Sequence, residues 1–126
     1  MNFLDENKKE IIKDFSKFVK KKLKIEKPPT IKVTNGKKEL KTTASYDYSK
    51  DIKTITVNGK NRALIDILRS IAHELTHHKQ WEEGRIKSSI EDGADGSDIE
   101  NEAHATAGLL IRKYAKLNGN VYDDIK

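Results

Sequence analysis

The sequence predicts an α+β fold in which a small antiparallel sheet is combined with an N-terminal helix and two C-terminal helices. Apolar residues recur at helical spacing near both ends of the chain, and β-branched residues alternate with polar ones between them. Proline, glycine and Asn-Gly pairs separate these segments. With 126 residues, the chain is predicted to form one domain, residues 1–126, around a single core.

Residues 1–29 are predicted to form a basic helix and a linker. An apolar stripe at helical spacing predicts the helix from Phe3 to about Leu23. Pro28-Pro29 ends this element because proline lacks the backbone N–H and favours an extended residue before it.

The positive charge lies in the first half of the chain. The first 50 residues contain 14 Lys or Arg and 7 Asp or Glu, and the whole chain carries a net charge of +5. Such a charge suits an anionic partner such as nucleic acid. Because no nucleic-acid-binding motif accompanies it, we interpret it as a solvated lysine-rich face.

Residues 30–60 are predicted to form the sheet. A short alternating run begins at Thr30, and the turn dipeptide Asn35-Gly36 closes it. Two further runs, Thr42–Tyr48 and Ile52–Val57, predict a hairpin because β-branched residues alternate in the second run.

Residues 62–117 are predicted to form the two site helices, followed by a tail at 118–126. The first is expected from Arg62 to about Glu83, with Gly84 as its stop. The second is expected to start at Ser97 or Asp98 and to run to about Leu117. Its small residues favour close packing against another helix: Ala103, Ala105, Ala107 and Gly108.

The amino-acid composition limits the kinds of reactive and metal-binding site that the chain can form. The chain has no cysteine, which excludes disulfides, cysteine-bound zinc and a thiol nucleophile. Any metal must therefore be held by histidine and carboxylate. Charged residues interrupt the start of the chain, so neither a signal peptide nor a transmembrane segment is expected, and we expect a cytoplasmic protein.

The most specific motif is H-E-x-x-H, spelled by His73-Glu74-Leu75-Thr76-His77. Two histidines four residues apart on a helix project from the same face, about one turn apart. Such a pair can bind one Zn²⁺, and the intervening glutamate is placed to take a proton from a metal-bound water. The motif predicts His73 and His77 as metal ligands and Glu74 as the general base.

A catalytic zinc usually takes three protein ligands, so a third is expected downstream. Four residues are candidates: Asp98, Glu100, Glu102 and His104. Glu100 is interpreted as an acidic residue that offsets the dipole of the first helical turn. His104 is a rival of Glu102, because two residues that are two positions apart face different sides of a helix.

The string Asn101-Glu102-Ala103 resembles the N-E-A that supplies the third ligand in gluzincin zinc metallopeptidases. The short chain resembles the minimal members of that clan, the minigluzincins and similar small H-E-x-x-H proteins of phages and archaea. The resemblance covers residues 42–117. It implies a minimal zincin-like fold and a site for one zinc ion: His73, His77 and Glu102 as ligands, and Glu74 as the base.

The resemblance implies three further features. Larger gluzincins place an aspartate four residues after the ligand glutamate, where this chain has Thr106, which can accept an imidazole N–H. Minigluzincins are self-inhibited, which implies that Asp123 or Asp124 of the tail occupies the open position of the zinc. The strand Ile52–Val57 is expected to pair along its edge with an extended peptide.

The predicted function is therefore a zinc-dependent endopeptidase, latent through its own terminal segment. One alternative is a catalytically inactive zinc-binding module on the same fold, with a structural or regulatory role. A second is a nucleic-acid-associated protease that resembles SprT-like enzymes, in which a third histidine usually completes the site.

Overall fold

The structure is a computed structural model that describes residues 6–34, 44–47, 53–59, 62–85 and 98–117. These residues form an α+β fold, as predicted. The elements in chain order are α1 (Glu6–Leu23), β1 (Thr30–Thr34), β2 (Ala44–Asp47), β3 (Thr54–Asn58), α2 (Leu64–Glu82) and α3 (Asp98–Leu117). The turn at Asn35-Gly36, the Ser97 cap and the tail with Asp123 and Asp124 lie outside the described residues.

The three strands form a mixed sheet in the order β1-β3-β2. β2 and β3 pair antiparallel, with Tyr46 opposite Ile55, as the predicted hairpin requires. β1 pairs parallel to β3, with Ile31 opposite Ile55, so the prediction of a wholly antiparallel sheet is wrong. Alternation identifies the two faces of a strand, but it does not fix the direction of a partner that is distant in sequence.

The central position of β3 also excludes the peptide contact that was expected along its edge. Both backbone edges of β3 are paired, one with β1 and the other with β2. A third strand has no free row of N–H and C=O groups on β3 to bind. The expectation that the edge of Ile52–Val57 receives an extended peptide is therefore wrong for the described part, Thr54–Asn58.

The core lies between the sheet and the helices. Ile55 and Val57 point inward from alternate positions of β3 and are completely buried. The apolar stripe of α2 packs in the same core, as do Phe15 and Val19 of α1. Burial of these side chains is the main favourable contribution to folding, at about 25 cal/mol per Å² of apolar surface.

Helix α3 lies against α2 through small side chains. Ala103 and Ala107 are both fully buried, whereas Ala105 is exposed. Methyl side chains at a contact let two helix axes approach closely. The predicted close packing of this helix is therefore confirmed, and it places the first turn of α3 beside the middle of α2.

Two polar contacts tie α1 and its linker to the other helices. Tyr114 Oη donates a hydrogen bond to Asp14 Oδ2 at 2.7 Å, which connects α3 to α1. The carboxylate of Glu82 at the end of α2 accepts the backbone N–H groups of Glu26 and Lys27 at 3.2 and 2.8 Å. Among the described residues, no helix has the length and apolar character needed to cross a membrane.

The end of α2 follows the predicted glycine stop. Gly84 has φ of 76°, in the left-handed region that glycine enters without steric cost. Its N–H donates to the Trp81 carbonyl and the N–H of Arg85 donates to the Gln80 carbonyl, both at 2.9 Å. These two bonds satisfy carbonyls that the end of the helix leaves unpaired, in the arrangement of a Schellman motif.

Candidate metal centre

Helix α2 brings the two motif histidines together. His73 and His77 lie one turn apart, and their Nε2 atoms are 3.1 Å from each other. The rings are almost perpendicular, with centroids 4.7 Å apart. His77 is buried and His73 is partly buried, so the pair occupies a recess rather than the outer surface of the helix.

The carboxylate that faces this pair belongs to Glu100. Its Oε1 lies 2.9 Å from His73 Nε2, and its Oε2 lies 3.0 Å from His77 Nε2. Among the described residues, His73, His77 and Glu100 form the group whose ligand atoms converge closely enough to hold one metal ion. Glu100, which the sequence assigned only to dipole compensation, therefore lies in contact with both motif histidines.

Glu102, the ligand expected from the N-E-A string, lies elsewhere. Arg85 binds both of its oxygens at 2.8 Å, and Gln80 Nε2 donates to its Oε1 at 2.9 Å. These donors, Arg85 foremost, lower the pKa of Glu102. The geometry thus replaces Glu102 with Glu100 as the candidate third ligand.

A helical wheel gives the physical reason for this difference. Glu100 and Glu102 are two positions apart and so project about 160° apart around α3. Ala103 and Ala107, which face α2, lie within about 60° of Glu100 on that wheel. The small residues of the sequence therefore already mark the face that carries Glu100, a signal beyond the close packing that they predict.

His104 lies at the rim of the same group. Its Nε2 is 3.1 Å from Glu100 Oε1, and its ring centroid is 4.5 Å from that of His73. Its side chain remains 64% exposed. His104 thus lies four residues after Glu100, the position relative to the ligand that Thr106 has if the ligand is Glu102.

Glu74 is buried beside the two histidines but is not part of the converging group. Its side chain is almost inaccessible, with 8% of the residue exposed. Burial, with the nearby charge of Glu100, raises the pKa of Glu74 to about 7. A carboxyl group with such a pKa accepts and returns a proton near neutral pH.

The electrostatics of His73 also suit metal binding. Burial lowers the pKa of His73 to about 4, and the charge of Glu100 opposes this shift only in part. At neutral pH His73 is therefore an uncharged imidazole, which is the form that binds a metal.

The donors lie close enough together for one metal ion. With one ligand atom taken from each residue, the atoms of His73, His77 and Glu100 all lie within 4.8 Å of one another. Oε1 of Glu100 is 2.9 Å from His73 Nε2, Oε2 is 3.0 Å from His77 Nε2, and the two nitrogens are 3.1 Å apart. Two imidazoles and one carboxylate are also the donor set of many catalytic zinc sites.

Comparisons with protein-family models, with curated proteins and with solved structures found no match to this chain. The case for a function therefore rests on the residues and their geometry.

Proposed function

We propose that this protein is a zinc-dependent peptidase in which His73, His77 and Glu100 hold the metal and Glu74 is the general base. The observation that carries the proposal is the convergence of Glu100 on the H-E-x-x-H pair, with both oxygens within 3.0 Å of an imidazole nitrogen. The proposal keeps the chemistry implied by the gluzincin resemblance and changes its third ligand. A cytoplasmic location, expected from the sequence, belongs to the same proposal.

Each residue of the proposed site has a separate role in the reaction. A zinc ion in this site supplies Lewis acidity, which polarises a carbonyl and makes a bound water more acidic. Glu74 takes the proton of the attacking water and delivers it to the leaving amine. The exposed ring of His104 lies at the open side of the group, where it can donate a hydrogen bond to the oxygen on which negative charge develops.

Paired substitutions test the ligand set. Glu100→Gln removes the charge of the proposed ligand, so Zn²⁺ affinity should fall by at least about 10- to 100-fold. Asp98→Asn is the matched control in the same first turn of α3, and its affinity should be unchanged because Asp98 is exposed and outside the converging group. Calorimetric titration of the chelator-treated full chain and of both variants measures their Zn²⁺ affinities. Equal affinity in Glu100→Gln and the unaltered chain contradicts the assignment.

Catalysis needs a separate test. The zinc-loaded chain is incubated with casein, an unstructured substrate, and new N-termini are counted. Glu74→Gln should retain stoichiometric zinc and lose about 10²- to 10⁴-fold in rate, because only the general base is removed. Failure of the unaltered chain to bind zinc, tested after chelator-free purification, overturns the proposal.

One observation favours a second function, a catalytically inactive zinc module. A structural zinc is closed by four protein ligands, and His104 lies 3.1 Å from the carboxylate of Glu100. A small rotation of His104 supplies the fourth donor. Zinc binding that weakens strongly in His104→Ala, together with no cleavage by the unaltered chain, supports this alternative.

Two other expectations remain part of the proposal as hypotheses. Latency through Asp123 or Asp124 predicts that a chain ending at Gly119 is more active than the full chain, and equal activity excludes it. Nucleic-acid association through the basic N-terminal helix predicts retention on DNA that decreases steeply with salt.

A further inference from the structure

A network of hydrogen bonds runs from His77 to the end of α2, on the side of the ring opposite the candidate metal centre. His77 Nδ1 lies 2.8 Å from Gln80 Oε1. Gln80 Nε2 lies 2.9 Å from Glu102 Oε1, and Arg85 binds both oxygens of Glu102. We call His77, Gln80, Glu102 and Arg85 the back-side network.

The partners of Gln80 fix the orientation of its amide. Its nitrogen faces the Glu102 carboxylate and the backbone carbonyl of Ile99, the latter at 3.1 Å. An ionised carboxylate and a carbonyl only accept hydrogen bonds, so the NH₂ group must point toward them and the oxygen toward His77. Gln80 is 1% exposed, and no bulk water is available to satisfy the opposite orientation.

The orientation of Gln80 determines which nitrogen of His77 carries the proton. An amide oxygen is an acceptor, so Nδ1 of His77 must be the N–H donor. Nε2 is then the ring nitrogen that faces the candidate centre, 3.0 Å from Glu100 Oε2 and 3.1 Å from His73 Nε2. Without a metal, a proton joins Nε2 and the Glu100 carboxylate, because two acceptors do not form a hydrogen bond. Only an unprotonated nitrogen binds a metal.

We propose that Gln80, oriented by Glu102 and Arg85, is a positioning residue that keeps a proton on Nδ1 of His77, so that Nε2 is the ring nitrogen available to a metal in the candidate centre. The use of Nε2 for zinc rests on the proposed function. Gln80 holds the Nδ1 proton with or without a metal, so the two can be tested apart.

The turn after α2 brings the last member of the network into place. Gly84 reverses the chain through its left-handed conformation, and the N–H of Arg85 donates to the carbonyl of Gln80 at 2.9 Å. The guanidinium then forms a two-point contact with Glu102, which holds that carboxylate in its ionised, accepting form. Glu102 thus acts on the centre through Gln80 rather than as a ligand.

The first measurement is ¹⁵N NMR of the His77 ring in the full chain with chelator at pH 8.5. The unaltered chain should show a proton on Nδ1. Gln80→Leu, which keeps the approximate volume and removes the acceptor, should lose this proton, because Nε2 still faces the carboxylate of Glu100. Arg69→Gln on the exposed side of α2 is the control and should leave the Nδ1 proton unchanged.

The second measurement exchanges the donor and acceptor. Gln80→Glu alone places two carboxylates side by side, and Glu102→Gln alone removes the acceptor that orients the amide. In the double variant Gln80→Glu with Glu102→Gln, the new amide at 102 donates to the new carboxylate at 80. The other oxygen of that carboxylate still accepts from His77. The double variant should recover the Nδ1 proton, which a purely structural role of these residues does not require.

Zinc affinity separates this inference from the function on which it rests. Gln80→Leu should weaken Zn²⁺ binding by about 10- to 100-fold, and the double variant should regain most of that loss. Absence of a proton on Nδ1 in the unaltered chain, or its persistence in Gln80→Leu, overturns the inference. The expected Nδ1 protonation in a chain that binds no zinc leaves the positioning role intact and overturns the proposed function.

Discussion

At the scale of single residues, two glutamates near the histidines have opposite environments. Glu74 is buried beside another carboxylate, which raises its pKa to about 7. Glu102 is held by a guanidinium and an amide, which lower its pKa. Separate environments of this kind distinguish an acid–base group from a charged structural group, and they support the proposed proton-transfer role of Glu74.

The raised pKa of Glu74 predicts a pH-dependent cost in stability for the metal-free chain. Below pH 4.5 the carboxyl is protonated in the folded and the unfolded states, so there is no cost. Between 4.5 and about 7 only the unfolded chain releases the proton, and the free energy of unfolding falls by roughly 2–3 kcal/mol. Above pH 7 the full cost remains.

Glu74→Gln removes this cost. Relative to the unaltered chain, the variant should gain roughly 2–3 kcal/mol of stability between pH 4.5 and pH 8, although it loses turnover. Urea unfolding with chelator at several pH values measures the difference. Glu83→Gln, at a side chain that is 45% exposed on the same helix, is the control and should show no such trend. A pH-independent difference for Glu74→Gln would falsify the explanation.

At the scale of elements, the site depends on how closely α3 approaches α2. The two histidines belong to α2 and the carboxylate to the first turn of α3, so the distance between the helices sets the donor spacing. Ala103 and Ala107 favour that approach because they are fully buried and have the smallest side chains on this face of α3. Packing in this interface is therefore expected to control metal affinity.

Ala107→Leu tests this dependence. Three extra carbon atoms in a closed interface should cost about 1–3 kcal/mol of stability and weaken Zn²⁺ binding, because α3 must move away from α2. Ala105→Leu is the control, since Ala105 is exposed on the same helix and its substitution should stay within about 0.5 kcal/mol. Chemical unfolding and zinc titration measure the two effects. Equal zinc affinity in both variants contradicts the proposed coupling.

At the scale of the whole molecule, a metal held between α2 and α3 joins segments that are distant in sequence. His77 and Glu100 are separated by 23 positions, and the unfolded chain does not hold their side chains together. An ion that binds only the folded form stabilises it by mass action. The proposed zinc site therefore predicts a thermal signature.

Zinc should raise the melting temperature of the full chain. At a free Zn²⁺ concentration about 100 times the Kd, the gain is about 2.7 kcal/mol, which corresponds to a shift on the order of 10 °C for a domain of this size. Chelator should reverse the shift. Mg²⁺ should raise the melting temperature only slightly, because it prefers oxygen ligands. Calorimetry of the unaltered chain and Glu100→Gln provides the comparison; an equal shift in both excludes this site as its cause.

The helices, the hairpin and the histidine pair, which are local features of the chain, follow from the sequence alone. Periodicity located the three helices and the β2–β3 hairpin, Gly84 marked the end of α2, and H-E-x-x-H placed His73 and His77 together. Each of these depends on interactions between residues that are close in the chain. For such features the spacing of residue types is enough, because helix and strand geometry fix where neighbouring side chains point.

The contacts between segments that are distant in sequence depend on the tertiary structure. It set β1 parallel to β3, brought Glu100 to the histidines, and placed Glu102 against Gln80 and Arg85. The choice between Glu100 and Glu102 depends on the rotation of α3 about its own axis. That rotation is fixed by the packing of small side chains against α2, a non-local interaction that a motif of neighbouring residues does not contain.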